Sequence, residues 1–251
     1  MCLVLFAHRA HAAYPLVLAA NRDELHARPT APADFWADHA DVFAGRDLVA
    51  GGTWLGVTRR GRFVALTNVR RRDARRGGES RGHIVRDLLT ATDALPVALE
   101  RLAARASGFP SFNVIAGEGD RVFYATEERL EEVPPGVHGL SNDRLDVPWP
   151  KVTEGTSGLR SIVGEAEIAR PRLFDVLASR RVADASDLPD TGLPPETERV
   201  VSAPFIVSEV YGTRSSTVLT IGQDGTVDFE ERSFASGGEA RGTVHRSFTT
   251  V

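Results

Sequence analysis

The chain has 251 residues, of which 30 are Lys or Arg and 34 are Asp or Glu, for a formal net charge of −4. With 42% hydrophobic and 25% charged residues, it has the make-up of a folded globular protein, which excludes a disordered, collagen-like or mucin-like chain. Mild acidity gives no support for whole-surface binding to nucleic acid. The single cysteine, Cys2, excludes an intrachain disulfide and suits a reducing compartment, so the expected location is the cytoplasm.

From the amino end, Leu3 to Ala7 is an apolar run and Leu16 to Ala20 a second, joined by Arg9 to Ala13. That pattern predicts a hairpin. Ala12 to Ala20 has the length of a signal-peptide core, but the apolar Leu3 to Ala7 stands where a basic segment belongs. No stretch is apolar for the eighteen or so residues of a membrane span. Thr53 to Thr58 and Arg62 to Thr67 flank Arg59-Arg60-Gly61, a second hairpin. A helix is predicted from Ile84 to Leu89, continuing into Pro96 to Ala106 with Val97, Leu99, Leu102 and Ala103 as its stripe. Phe112 to Ala116 and Arg121 to Ala125 form a third hairpin around Gly-Glu-Gly-Asp. Val152 to Val163 and Pro171 to Leu177 read as helices, the second with Pro suited to a first turn. Ala183 to Arg199 is rich in Pro, Asp and Thr and reads as a long surface loop. Thr217 to Ile221 and Thr226 to Glu230 flank Gln223-Asp224-Gly225, a fourth hairpin with a strong turn signal. Hairpins set apart from helices predict an α+β fold of antiparallel sheets in one domain spanning residues 1–251.

Chemistry concentrates at the start. Cys is small enough for an aminopeptidase to remove Met1. Cys2 would then carry a thiol and a free α-amine on one residue. A thiolate is a strong nucleophile, and an α-amine titrates about two to three units below lysine, so it can serve as a base near pH 7. The bland reading is a buried strand-starting residue, since cysteine is common inside proteins. A turn at Ala10 to Ala13 makes cross-strand partners sum to roughly 23 to 25, which sets Cys2 opposite Asn21, Arg22 and Asp23, with Glu24 following. A carboxylate there would orient the amine, and an arginine would favour the ionised thiol. Asn68 ends a strand and Asn142 follows a short apolar segment. Amide groups at such places can stabilise an oxyanion, although Asn is also a common turn former. Arg214 opens a late strand, and five of the seven residues from Arg70 to Arg76 are arginine. That run is either a solvated loop or an attractor for an anionic ligand. His8 and His11 sit in a hairpin connection, so no metal site is expected. The three tryptophans read as packing residues.

Ordered motifs along nearly the whole chain carry a family resemblance. They include Asn21-Arg22-Asp23-Glu24, Gly51-Gly52-Thr53-Trp54-Leu55-Gly56, Leu66-Thr67-Asn68, Ser80-Arg81-Gly82, Gly139-Leu140-Ser141-Asn142 with Pro148-Trp149, and Tyr211-Gly212-Thr213-Arg214. The chain resembles the NRDE family, also called the transport and Golgi organisation protein 2 family. The resemblance implies an N-terminal-nucleophile hydrolase-like fold, a four-layer αββα sandwich of two antiparallel sheets. It also implies similarity to bile-salt hydrolases and penicillin acylases, with Ala20 where that group carries an arginine. Carried over by position, Cys2 is the nucleophile and base, and Asp23 orients the amine. Asn68 and Asn142 hold the oxyanion, and Arg214 shapes the pocket electrostatics. Asn21, Arg22, Glu24 and Arg70 are the candidate substrate-binding residues. The expected activity is hydrolysis of a non-peptide C–N amide bond in a small molecule, with no cofactor. The alternative the resemblance suggests is a non-catalytic carrier of haem or acyl-CoA in haem trafficking or lipid homeostasis.

Overall fold

The structure is a computed structural model and describes residues 2–251. Two antiparallel sheets carry the architecture. The first six strands are β1 (Cys2–His8), β2 (Leu16–Leu25), β3 (Thr30–Phe35), β4 (Val42–Asp47), β5 (Leu55–Thr58) and β6 (Phe63–Asn68). Two helices follow, α1 (Arg81–Thr90) and α2 (Leu95–Arg105), then β7 (Phe112–Glu118), β8 (Arg121–Thr126), β9 (Leu130–Glu132) and β10 (Gly136–Leu140). Next come α3 (Pro150–Val163), α4 (Arg170–Leu177) and the short α5 (Pro195–Val200). The chain closes with β11 (Tyr211–Ile221), β12 (Thr226–Phe234) and β13 (Ala240–Thr249). One sheet has the order β10-β1-β2-β11-β12-β13, and the other runs β3-β4-β5-β6-β7-β8-β9.

Strand alternation makes the layers. On β1, Val4 and Phe6 face the space between the sheets, where they join Leu18, Phe43, Ile115, Leu219 and Phe229. Leu3, Leu5 and Ala7 face the other way, onto Val152, Leu159, Leu173 and Phe174 of α3 and α4. The second sheet turns Val64, Leu66, Val114 and Ala116 onto Ile84, Leu88, Leu99 and Leu102 of α1 and α2. The result is helices, sheet, sheet, helices: the αββα sandwich. Each fully buried Leu or Phe contributes roughly 1.5–3 kcal/mol, so three such interfaces hold the stack. Gly155 lets α3 approach β1, since a Cβ there would lie 2.6 Å from Leu5 Cδ1.

All four predicted hairpins form; the first, third and fourth have longer strands than predicted, whereas in the second β5 starts at Leu55 rather than Thr53 and β6 is shifted by one residue. Gly61 and Gly225 take φ of 78° and 77° in two of the turns, a region that suits glycine. The structure corrects three readings. The helix from Ile84 to Ala106 is two helices, because Pro96 lacks the N–H that a helix interior requires. The buried face of α2 is Leu95, Ala98, Leu99 and Leu102, whereas Val97 is 41% exposed. The loop from Ala183 to Arg199 contains most of α5, and its Glu198 is buried. Among the described residues, no helix is long and apolar enough to cross a membrane. Ala12 to Ala20 forms the β1–β2 connection and the first half of β2.

Arg62 fixes the break between α1 and α2. Its side chain is 1% exposed. The guanidinium donates to the carbonyls of Leu88, Ala91 and Asp93 at 3.0, 2.9 and 2.6 Å and pairs with both carboxylate oxygens of Glu118 at 3.0 Å. Removing it strips these bonds, and Ala91 O and Glu118 Oε2 keep one longer bond each, at 3.3 Å, from Arg60 and the Leu95 N–H. Arg62→Ala is expected to cost about 3 kcal/mol in urea unfolding. Arg129→Ala, on an exposed turn, should stay within about 0.5 kcal/mol. An Arg62→Ala loss below that second figure would show that the guanidinium is dispensable.

Candidate active site

The pairing of β1 with β2 decides where the thiol lies. Cys2 is the Cα partner of Arg22, and β2 runs on to Leu25. The extension pairs with β11, Asp23 opposite Thr213 and Glu24 opposite Gly212. The open end of the first sheet therefore presents Cys2, Arg22, Asp23 and Tyr211. The second sheet contributes Asn68 from the end of β6 and Trp54 ahead of β5. Between them lies a cavity of about 810 Å³, closed on one side by residues 69–82.

Electrostatics favour the neutral thiol. The half-buried Cys2 has its pKa pushed up by burial and by the charge of Asp23, while the Asp23 main-chain N–H and the Arg22 guanidinium pull it down. Asp23 is 3% exposed, and burial raises its carboxyl pKa. Opposing that, Lys151 and Arg70 supply positive charge and Thr213 a hydrogen bond, its Oγ1 donating to Asp23 Oδ1 at 2.7 Å. Tyr211 donates its hydroxyl to the Asp23 carbonyl at 3.0 Å. Burial and the Asp23 charge hold the Tyr211 phenol protonated far above its usual range.

The two asparagines are coupled. Asn142 is fully buried, and its Nδ2 donates to Asn68 O at 2.9 Å and Asn68 Oδ1 at 2.8 Å. Its own carbonyl accepts from the Arg70 N–H at 2.7 Å. Both Asn142 donors are thus spent, which corrects the expectation that it faces an oxyanion directly. With its own side-chain oxygen engaged, Asn68 has its NH2 group left for the cavity it lines. Ser141 adds a tie, its Oγ donating to Cys2 O at 3.2 Å.

The remaining expected residues divide. Arg22 lines the cavity, its guanidinium 4.0 Å from the Trp54 ring centre and hydrogen-bonded to Thr30 Oγ1 at 3.1 Å. Glu24 also lines it, one oxygen accepting from the Leu25 N–H. Arg70 lines it while ion-paired to Glu198 at 3.3 Å and lying 4.9 Å from the Trp149 ring centre. The Asn21 side chain is engaged within the fold. Its Nδ2 donates to Leu177 O and Pro204 O, both at 2.8 Å, and its Oδ1 accepts from Ser216. These bonds hold it against the end of α4, and it is not among the residues lining the cavity. Arg214 is likewise not part of the cavity lining. Its Nη1 donates to the carbonyls of Leu25, His26 and Arg28 at 2.9–3.1 Å, so it braces the turn after β2.

Sequence reasoning missed Tyr211 and Thr213, although both lie in the Tyr-Gly-Thr-Arg motif from which Arg214 was singled out. Arg81, quoted only within a motif, lines the cavity and senses the charge of Cys2. Lys151 and Glu198 were missed as well. The one signal for Lys151 was its being the only lysine in the chain. Glu198 carried none, because its partner Arg70 lies 128 positions away.

The geometry can be set beside known proteins. A family model described as Transport and Golgi organisation 2 matches residues 1–236. A Transport and Golgi organization protein 2 homolog of Bos taurus is 34% identical over 256 residues, covering 93% of each chain. The Homo sapiens homolog is 33% identical over 263 residues, again covering 93% of both. Among solved structures, a Caenorhabditis elegans N-acylethanolamine-hydrolyzing acid amidase ortholog aligns with a TM-score of 0.53 at 13% identity, covering 87% of this chain and 92% of that one. This places the fold with the N-terminal-nucleophile hydrolases. Matched along nearly its whole length by both family model and relatives, the chain belongs to the Transport and Golgi organisation 2 family.

Proposed function

We propose that the chain is a cysteine N-terminal-nucleophile hydrolase acting on a non-peptide C–N amide bond of a small molecule. The observation that carries this reading is the Cys2 thiol at the wall of the 810 Å³ cavity, with both the main-chain N–H and the carboxylate of Asp23 beside it. The amidase among its structural neighbours supports the bond class. The lone thiol would stay reduced in the cytoplasm.

Removal of Met1 frees the Cys2 α-amine. That amine takes the thiol proton, and the sulfur attacks the amide carbon. The Asn68 NH2 group donates to the oxyanion, and Asn142 holds Asn68 in place. When the C–N bond breaks, the leaving nitrogen takes the proton from the α-ammonium, and a thioester to Cys2 remains. Water, deprotonated by the same amine, attacks that thioester and releases the acid and the thiol. Asp23 orients the amine throughout. Arg214 acts only through the turn it braces.

A carrier of haem or acyl-CoA would need free cations. Within the arginine run, Arg70 is paired with Glu198, Arg71 with Asp73 and Asp143, and Arg72 with Asp190. Arg75 donates to the carbonyls of Phe109 and Ala106. Arg76 and Arg81 also line the cavity and have no carboxylate partner among the described residues, so the cations do not separate the two readings, and the amidase reading is preferred on the position of the Cys2 thiol.

Intact-mass analysis of the purified protein is expected to show Met1 absent. An acylating electrophile should add once, at Cys2, and not at all to Cys2→Ala. Retention of Met1 would end the proposal, since no free amine would exist. A second expectation concerns the oxyanion. Asn68→Ala should slow acylation by about 10²-fold. Asn142→Ala should approach that loss, and the double variant should add little to it, because the two act as one unit. Additive losses would show that Asn142 works independently.

A further inference from the structure

Lys151 breaks three local rules at once. It is the only lysine in a chain whose other cationic side chains are all arginine. It is 1% exposed, although lysine is almost never fully buried. It occupies the first turn of α3, where the helix dipole disfavours a positive charge. Its Nζ donates to the Val201 carbonyl at 3.0 Å, just beyond the end of α5. Residues that violate several rules together mark functional or strained sites.

What offsets these costs is a cluster of buried charges. Asp23 is 3% exposed, Glu198 3% and Arg70 9%. Two anions and two cations come together here from β2, α5, the segment after β6 and α3. Arg70 and Glu198 form one pair at 3.3 Å. The groups whose charges act on Lys151 are Asp23, Arg70, Cys2 and Glu198, with Asp23 the strongest of the four. Burial brings the lysine down to about 8, and Asp23 works against that fall.

We propose that Lys151 is a positioning residue for the Cys2–Asp23 pair, its buried ammonium, anchored to the Val201 carbonyl, helping to keep the buried Asp23 carboxylate anionic. This rests on Cys2 and Asp23 being the reacting pair. A neutral Asp23 cannot hold an ammonium in place, whereas an anionic one can. Lysine suits the task better than arginine because its compact charge fits a closed space. The anchor also gives α5 a purpose, since Val201 and Glu198 hold Lys151 and Arg70 from the far side.

A single lysine makes the test direct. In protein labelled with ¹³C at lysine Cε, one side-chain resonance is followed from pH 6 to 11. The wild-type midpoint is expected near 8. Asp23→Asn should lower it by one pH unit or more, because the anion that favours the charged lysine is gone. Asp120→Asn, on an exposed turn, should leave it in place. A midpoint near the ordinary lysine value of about 10.4, or one that Asp23→Asn does not move, overturns the proposal. The thiol gives a second readout, because Cys2 is the only cysteine. Its alkylation by iodoacetamide, followed by intact mass against pH, should shift to a higher midpoint in Lys151→Met, which removes a cation near the thiolate. Adding Asp23→Asn should bring that midpoint back toward wild type. A folded Lys151→Met protein with the wild-type midpoint also overturns the idea, and if that variant does not fold, the lysine titration decides. Neither measurement needs turnover, so failure of the amidase reading and failure of this inference are told apart.

Discussion

The antiparallel register of the first two strands is the constraint from which the site follows. Pairing Cys2 with Arg22 leaves β2 three residues longer than β1 at that end. Asp23 therefore sits beside the thiol while it still belongs to the sheet, paired with Thr213 on β11. A slip of one residue would exchange the faces of β1. Val4 and Phe6 would turn toward α3 and α4, and Leu3 and Leu5 toward the second sheet. Both faces of this strand are apolar and closely packed, so the register is fixed by two interfaces.

Around that fixed point, the chain buries charge where most folds avoid it. Asp23, Lys151, Arg70 and Glu198 are all nearly inaccessible. Burying any one of them alone would cost several kcal/mol. Together their charges offset one another, and nearby dipoles take up part of the remainder, among them Thr213 Oγ1, the Val201 carbonyl and the Trp149 ring. Such an arrangement adds little net stability, but it sets protonation states. Burial alone would leave Asp23 neutral and the thiol protonated, and the surrounding cations and donors act against that in both cases.

Roles divide between groups that face the cavity and groups that hold them there. Asn68 faces the cavity and Asn142 supports it. Asp23 faces it, while Thr213 and Tyr211 fix its carboxylate and backbone. Arg214 reaches no cavity atom yet binds three carbonyls of the turn after β2, and so sets where Glu24 and the end of that strand lie. The supporting groups come from the 140 and 211 regions, far from the strand they position. The short motifs that contain them are thus parts of one assembly.

The sequence by itself determined the hairpins, because apolar alternation and Gly-containing turns are local signals that the backbone obeys. It also determined that Cys2 lies opposite residues 21–23, since strand pairing across a short turn has almost no freedom. Resemblance supplied the layering. Tertiary structure alone decided which of the polar residues near the thiol reach the cavity: Asn21 is tied to the end of α4, while Arg22 and Asp23, on opposite faces of β2, both line the cavity at the strand's end. It alone decided that one asparagine is a donor and the other its support. It alone assembled the buried Lys151, Glu198 and Arg70. Those contacts join residues far apart in the chain, 50 positions for Lys151 and Val201, 74 for Asn68 and Asn142 and 128 for Arg70 and Glu198, and the side chains involved, read singly, resemble ordinary polar groups of a protein surface. Their pairing is set by how the helices lie on the sheets, a property of packed volume that no local pattern encodes.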